Sequence, residues 1–281
     1  MIPSKVEFQK PASLAQALEM LQEKGDSKVL AGGHSLIPLM KLRLNEPSSV
    51  VSISNLTELQ GIVEEDDHFK IGSATTHAEL GNHSNLHNIL PVICQTALSI
   101  GDIQVRNFGT IGGSIAHADP AADWPGALLA TDAVIEIANL DGSREVAAVD
   151  FFQGFFTTVL AEHEIITAIK IPIPPAGTRS AYLKFPQPSS RFAIVGCAVV
   201  LTGTDPVEKA SVAFNGVSEA AFRDPGVESA LAGKTLNAQT IEIVSQLAAQ
   251  GIEVLTDYHA SAEYRSHLAK LYTKRTLMSL I

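Results

Sequence analysis

Two glycine-rich stretches constrain this chain more than any other part of it: Leu30–Leu44, LAGGHSLIPLMKLRL, and Arg106–Pro125, RNFGTIGGSIAHADPAADWP. The first interrupts what otherwise reads as a strand passing into a buried helix, and the second carries a similar break. Glycine has no Cβ, so it reaches positive φ and lets other groups approach its backbone. Amide N–H groups in a tight glycine turn converge on one point, where a phosphate gains several charge-assisted hydrogen bonds without any lysine. Gly32 and Gly33 followed by the Ser35 hydroxyl fit such a cradle, as do Gly109, Gly112 and Gly113 between Thr110 and Ser114. A lone Gly-Gly pair is usually only a turn, but two hydroxyl-flanked pairs in one acidic chain favour an anion site. Neither has dinucleotide-fingerprint spacing, and LAGKT at 231–235 is not a P-loop, because Glu228 stands where its first glycine would be.

The charge balance narrows the ligand. Twenty Lys and Arg against 30 Asp and Glu give a net charge of -10, and no basic run is interleaved with aromatics, which excludes a nucleic-acid partner. The amino-terminal MIPSKVEFQKPASLAQ has neither a basic n-region nor an apolar h-region, and no later run approaches the roughly 20 apolar residues of a membrane span. A cytoplasmic protein is therefore expected. Cys94 and Cys197 sit in apolar surroundings as packed small hydrophobes. Two thiolates cannot ligate an iron–sulfur cluster alone, so any metal redox centre is expected on another chain.

With 281 residues, 46% of them hydrophobic, the chain can bury about two domain cores. Ser13 and Gln16 form a capping-box pattern before Leu14, Ala17, Leu18 and Leu21 at helical spacing, and Gly25 offers a stop. KVLAGG and SVVSISN read as short strands. FKIGSATTHAEL reads as a strand followed by a second capping box, Thr76 and Glu79, and NILPVICQTALSIGD continues as an apolar helix. Pro120 suits the first turn of a helix, and Asp141-Gly142 marks a hairpin in the β-rich AVIEIANLDGS, which VDFFQGFFTTV joins to the β-rich HEIITAIKIPIPP. The prolines of IPIPPAGT, 171–178, place a domain boundary near residue 177. Beyond it, RFAIVGCAVVLTG and KASVAFNGV read as strands, and AQTIEIVSQLAAQ and SAEYRSHLAKLYTKRTLMSLI as helices, giving an α+β tail.

Several polar residues admit two readings. His34 could be a ligand, a base or a loop residue bonding backbone, and sequence alone favours the last. Asp123 suits a helix-dipole partner yet could accept from a ribose hydroxyl. His77, His83 and His87 include an i, i+4 pair, but without the Glu of an H-E-x-x-H arrangement a solvated helix face is the better reading, so no metal site is expected. No Gly-x-Ser-x-Gly elbow is present, and His163, Asp150 and Ser180 have no hydrolase spacing. Catalysis by side chains is not signalled, and a bound cofactor can carry chemistry for which the protein supplies only binding and electrostatics.

Taken together, AGGHSLIPLMKLRL and RNFGTIGGSIAHADPAADWP closely resemble the paired flavin motifs of the medium, FAD-binding subunit of molybdenum hydroxylases, in particular the carbon monoxide dehydrogenase medium-chain group. The resemblance extends through FFQGFFTT, HEIITAIKIPIPP and AEYRSHLAKLYTKRTL, essentially the whole chain. It implies an α+β protein: a PCMH-type FAD-binding domain over 1–177, similar to that of vanillyl-alcohol oxidase, with subdomains of about 1–57 and 58–177. A smaller α+β C-terminal flavoprotein domain would follow over 178–281.

By this resemblance, Ala31, Gly32, Gly33, His34 and Ser35, with Thr110, Ile111, Gly112, Gly113 and Ser114, would wrap the FAD pyrophosphate, and Leu36 and Gly109 would also belong to the cofactor site. Asp123 would hold the adenosine-side ribose region. Ile100 and Gly101 would run along the cofactor, Ile166 would lie near its adenine end and Lys184 near the flavin ring. Phe192 stands where some relatives carry a tyrosine beside the isoalloxazine, which keeps the aromatic face and loses the hydroxyl. The family implies noncovalent FAD, although larger flavin oxidases attach FAD through the histidine of a similar Gly-Gly-His turn.

The resemblance further implies an oxidoreductase subunit that passes electrons from two-iron clusters on a small partner chain, through FAD, to an external acceptor. A large partner would carry the molybdenum cofactor, and the assembly would be a heterohexameric dimer of heterotrimers. A free-standing FAD-dependent reductase or oxidase, with its own substrate pocket in the C-terminal domain, is the alternative. It predicts turnover by this chain alone, whereas the electron-transfer role predicts copurifying molybdenum and iron.

Overall fold

The computed structural model of the chain describes residues 2–23 and 25–281. It opens with β1 (Glu7–Gln9), α1 (Leu14–Glu23), β2 (Ser27–Leu30), α2 (Leu36–Lys41) and β3 (Ser49–Ser52). The three strands form a parallel sheet in the order β1-β3-β2. Helix α1 buries Ala17, Leu18 and Leu21 in a small core that also takes in Val51, Ile53 and Leu59. Its cap differs by one residue from the expected box. The Gln16 amide donates to Ser13 Oγ at 3.2 Å, but Gln16 Oε1 accepts from the Ala12 amide at 2.6 Å.

A second unit follows: β4 (Ile62–Glu64), β5 (His68–Gly72), α3 (His77–Gly81), α4 (Ser84–Ile89), α5 (Pro91–Ser99), α6 (Ile103–Phe108), α7 (Ile111–His117) and α8 (Trp124–Ala130). It continues through β6 (Val134–Asn139), β7 (Gly142–Ala147), α9 (Ala148–Phe151), β8 (Phe152–Gly154), β9 (Thr157–Thr158) and β10 (Ile165–Pro172). Five of these strands make an antiparallel sheet in the order β4-β5-β10-β6-β7. The Thr76–Glu79 capping box forms as the sequence suggests. The apolar run NILPVICQTALSIGD is broken into α4 and α5, because Pro91 starts a new helix. Pro120 lies in the turn before α8, and Pro125 takes the first helical turn instead.

The remaining residues form β11 (Arg179–Pro186), β12 (Ala193–Thr202), β13 (Lys209–Asn215), β14 (Phe222–Arg223), α10 (Pro225–Leu231), α11 (Ala238–Ser245) and α12 (Ala262–Met278). The strands make an antiparallel sheet in chain order. The near-continuous apolar run of β12 has a physical cause: the sheet is covered on both faces. Cys197, Val199 and Leu201 enter a core shared with α10, α11 and α12, whereas Ala198 and Val200 enter the core of the second unit beside Trp124. Tyr182 and Ala213 join that same core. No helix among the described residues is long and apolar enough to cross a membrane.

Candidate functional site

A cavity of about 1070 Å³ lies where the parallel sheet, the segment running through α6 and α7, and the 187–192 loop meet. Ala31 to Leu36 form one wall, as the chain leaves β2 for α2. Gly33 has φ of +75°, which glycine adopts without strain. The backbone amides of Gly32 through Leu36 have no hydrogen-bond partner among the described residues, and neither does the Ser35 hydroxyl. Five consecutive open donors on a cavity wall are costly unless a ligand or water accepts from them.

The second glycine segment is built differently from the turn the sequence suggests. Thr110 is the N-cap of α7, and Gly112, Gly113 and Ser114 lie in its first turns. Apart from that of Thr110, its amides are already spent: Ile111 donates to Thr75 O at 3.1 Å, Gly112 to Ser73 O at 2.8 Å and Gly113 to Thr110 Oγ1 at 3.2 Å. What this segment offers is close approach. A Cβ on Gly32 would overlap the Phe108 carbonyl and come 2.9 Å from Gly109 Cα, so the two glycine segments touch backbone to backbone. The turn at Ile100–Gly101 beside them is fixed by Arg106, whose Nη1 donates to both carbonyls, at 2.9 and 3.0 Å.

His77 supports this wall from beneath and is not on a solvated face, because α3 packs against α5 and α6. It is 4% exposed, and its Nδ1 accepts from Trp124 Nε1 at 3.2 Å, which places the ring proton on Nε2. Its ring lies against Gly109, where a Cβ would come within 2.8 Å of Nε2. Burial, with the neighbouring charges of His34 and Arg106, pushes its pKa from 6.5 down to about 3. A histidine kept neutral in the fold but free to charge when unfolded makes the unfolded chain bind more protons, so stability falls as pH falls below 6.5. Chemical denaturation of His77→Gln between pH 6.5 and 4 should show a shallower decline than the native chain, by up to roughly 1.4 kcal/mol per pH unit. His83 takes a structural place too: its Nδ1 accepts from the Leu86 amide at 3.2 Å, capping α4.

Asp123 stands at the start of α8 without capping it. Its Oδ1 accepts from Tyr182 at 2.5 Å and its Oδ2 from Lys184 Nζ at 2.7 Å, so β11 of the C-terminal sheet reaches the cavity through this carboxylate. Burial pushes the Asp123 carboxyl up and the Lys184 amine down, while their contact favours the charged forms of both. Burial and Asp123 raise Tyr182 well above 10, which keeps it a donor.

Of the residues singled out from sequence, Ala31–Leu36, Ile100, Gly101, Gly109, Thr110, Gly112, Gly113, Ser114, Asp123 and Ile166 line the cavity. Ile111 does not: its side chain is buried in the core. Lys184 reaches the site only through its partners. Asp123 and Lys184 are in direct contact, so they cannot serve opposite ends of an extended dinucleotide. Phe192 lines the same region, whereas Ile166 lines the cavity with His163, whose Nδ1 lies 2.9 Å from Leu21 O in α1. Sequence reasoning missed Arg191 and Phe156, both lining residues with left-handed φ, of +61° and +52°. Positive φ in a non-glycine residue leaves no sequence signal.

Comparison with known proteins agrees with this architecture. Residues 4–174 match the family described as FAD binding domain in molybdopterin dehydrogenase, and residues 180–280 match the CO dehydrogenase flavoprotein C-terminal domain. The chain is 36% identical to the carbon monoxide dehydrogenase medium chain of Hydrogenophaga pseudoflava, over 99% of this chain and 97% of that one. It is 35% identical to the nicotine 6-hydroxylase medium subunit of Paenarthrobacter nicotinovorans, over 97% and 96%. Among solved structures, a chain of carbon monoxide dehydrogenase from Hydrogenophaga pseudoflava, in a form lacking the Mo-pyranopterin moiety of the molybdenum cofactor, superposes with a TM-score of 0.95 at 36% identity, over 100% and 98% of the two chains. Quinoline 2-oxidoreductase from Pseudomonas putida 86 gives 0.94 at 30% identity, over 100% and 98%. The fold is thus the α+β PCMH-type FAD-binding fold followed by a smaller C-terminal domain. The chain belongs to the family of FAD-binding medium subunits of molybdenum hydroxylases, the electron-transfer flavoproteins that include the carbon monoxide dehydrogenase medium chains.

Proposed function

We propose that the cavity holds FAD without a covalent bond, and that the chain passes electrons from two-iron clusters on a small partner subunit to an external acceptor. A large partner would carry the molybdenum cofactor, in a cytoplasmic dimer of heterotrimers. The observation that carries this reading is the run of open amides from Gly32 to Leu36, held by glycine contact against the second glycine segment. Such a wall suits a pyrophosphate, whose oxygens accept hydrogen bonds and need no cation there. The medium-subunit relatives support the assembly.

In this reading Ala31–Leu36, Gly109, Thr110 and Gly112–Ser114 hold the pyrophosphate, with Ile100 and Gly101 alongside, and Ile166 takes the adenine end. Asp123 and Lys184 move to the flavin side with Phe192, because their ion pair fixes them together. Ile111 acts only by anchoring α7. The His34 side chain is exposed and set edge-on to Phe108 at 6.1 Å, where it closes the wall without a covalent bond to the cofactor. Residues 1–177 form the FAD-binding domain and 178–281 the C-terminal domain. FAD, when bound, supplies the exchange between two-electron and one-electron chemistry. The chain's own task is to bind it, orient it and limit solvent access.

Native purification followed by metal and flavin analysis tests the proposal. FAD, molybdenum and iron are expected to elute together, with the flavin reduced when the hydroxylated substrate is added. A chain that purifies alone and turns over a substrate unaided would contradict it.

A further inference from the structure

We infer that Lys184 is a positioning residue, which acts on the cofactor site through the 187–192 loop by holding the Arg191 carbonyl. The inference rests on the proposal that this cavity binds FAD.

The Lys184 side chain is 5% exposed and does not line the cavity. Its ammonium donates to Asp123 Oδ2 at 2.7 Å and to Arg191 O at 2.6 Å. Both anchors are buried or backbone, so the group is committed to them. The 187–192 loop is otherwise closed only on itself. The Gln187 amide donates to Phe192 O at 2.8 Å, the Arg191 amide donates to Gln187 O at 2.9 Å, and Gln187 Oε1 collects the amides of Ser189 and Ser190. Arg191 is held at φ of +61°, a conformation a non-glycine residue keeps only when its surroundings impose it. Lys184 supplies that restraint, and just after the loop the Ala193 amide donates to Ala121 O at 3.0 Å. The loop is thereby tied at two points to the 121–123 segment. Its product is Phe192, 42% exposed and set on the cavity wall. The Arg191 guanidinium makes no hydrogen bond or ion pair among the described residues, so the carbonyl rather than the side chain is the point of attachment.

The test reads solvent access to the flavin in the FAD-loaded protein as purified, by acrylamide quenching of flavin fluorescence. Acrylamide is neutral, so a change of charge does not alter its local concentration. Lys184→Met and Phe192→Ala should each raise the quenching constant about threefold or more, and the double variant should exceed neither single change, because both act through one element. Arg191→Gly removes a lining side chain but keeps the carbonyl and accepts the left-handed backbone, so it should raise the quenching constant by less than Lys184→Met does. If Lys184→Met does not fold, Arg191→Pro takes its place, since proline cannot adopt positive φ and displaces the loop while leaving the ion pair intact. Additive effects in the double variant, or an Arg191→Gly change as large as that of Lys184→Met, would overturn the inference. Native protein without flavin would instead overturn the FAD reading on which it stands.

Discussion

Gly32→Val is expected to abolish FAD retention while the rest of the chain stays folded. The new side chain would meet the Phe108 carbonyl and Gly109 Cα, both backbone, and backbone cannot swing aside as a side-chain tip can. The two glycine segments must therefore part, which disperses the open amides of Gly32–Leu36. A loss of at least about 100-fold in FAD affinity follows, about 2.7 kcal/mol, with an overpacking cost to the fold of about 1–3 kcal/mol. Gly33→Leu should also prevent retention, through its φ of +75°, although the atom it would meet is only the tip of Ile37. His34→Ala should merely weaken binding. Titration of each apoprotein with FAD ranks the three, and equal affinities for Gly32→Val and His34→Ala would show that the contact between segments is irrelevant.

The second large effect is expected at Asp123. Asp123→Ala leaves the Lys184 ammonium buried with no opposite charge and removes the nearer acceptor of the Tyr182 hydroxyl, which keeps only Asn215 Oδ1 at 3.3 Å. Breaking a buried pair in this way typically costs about 3–5 kcal/mol, far more than a surface pair is worth. The pH dependence is characteristic. Burial already lowers the Lys184 pKa while Asp123 opposes the shift, so removing Asp123 lowers it further. The unfolded variant then binds the proton more tightly than the folded one, and its stability rises with pH up to the ordinary lysine range. Denaturant unfolding of the variant between pH 7 and 10 should recover part of the loss, whereas Asp123→Asn should retain the Tyr182 contact and lose less.

Much of this was legible in the sequence for identifiable reasons. The two glycine segments could be picked out because a missing Cβ is a local property that the sequence displays. The Thr76–Glu79 cap and the Asp141-Gly142 turn could be read because their partners lie within three residues. What escaped was non-local. Nothing near Asp123 announces Tyr182 and Lys184, which a separate sheet brings to it from about sixty residues away. His77 looked like part of a solvated helix face because its cover is Trp124, supplied by another helix. The second glycine segment could be taken for a loop because glycine is unusual inside a helix. Only the close packing of Gly112 on Ser73 shows why it is there.

The central claim is that one cavity, clamped by two glycine segments, holds FAD without a covalent bond. Acid precipitation of the native protein, with flavin measured in the supernatant and in the pellet, tests it most directly. The account predicts one FAD per chain, all of it released to the supernatant. Flavin that stays with the pellet, or native protein that carries none, would contradict it.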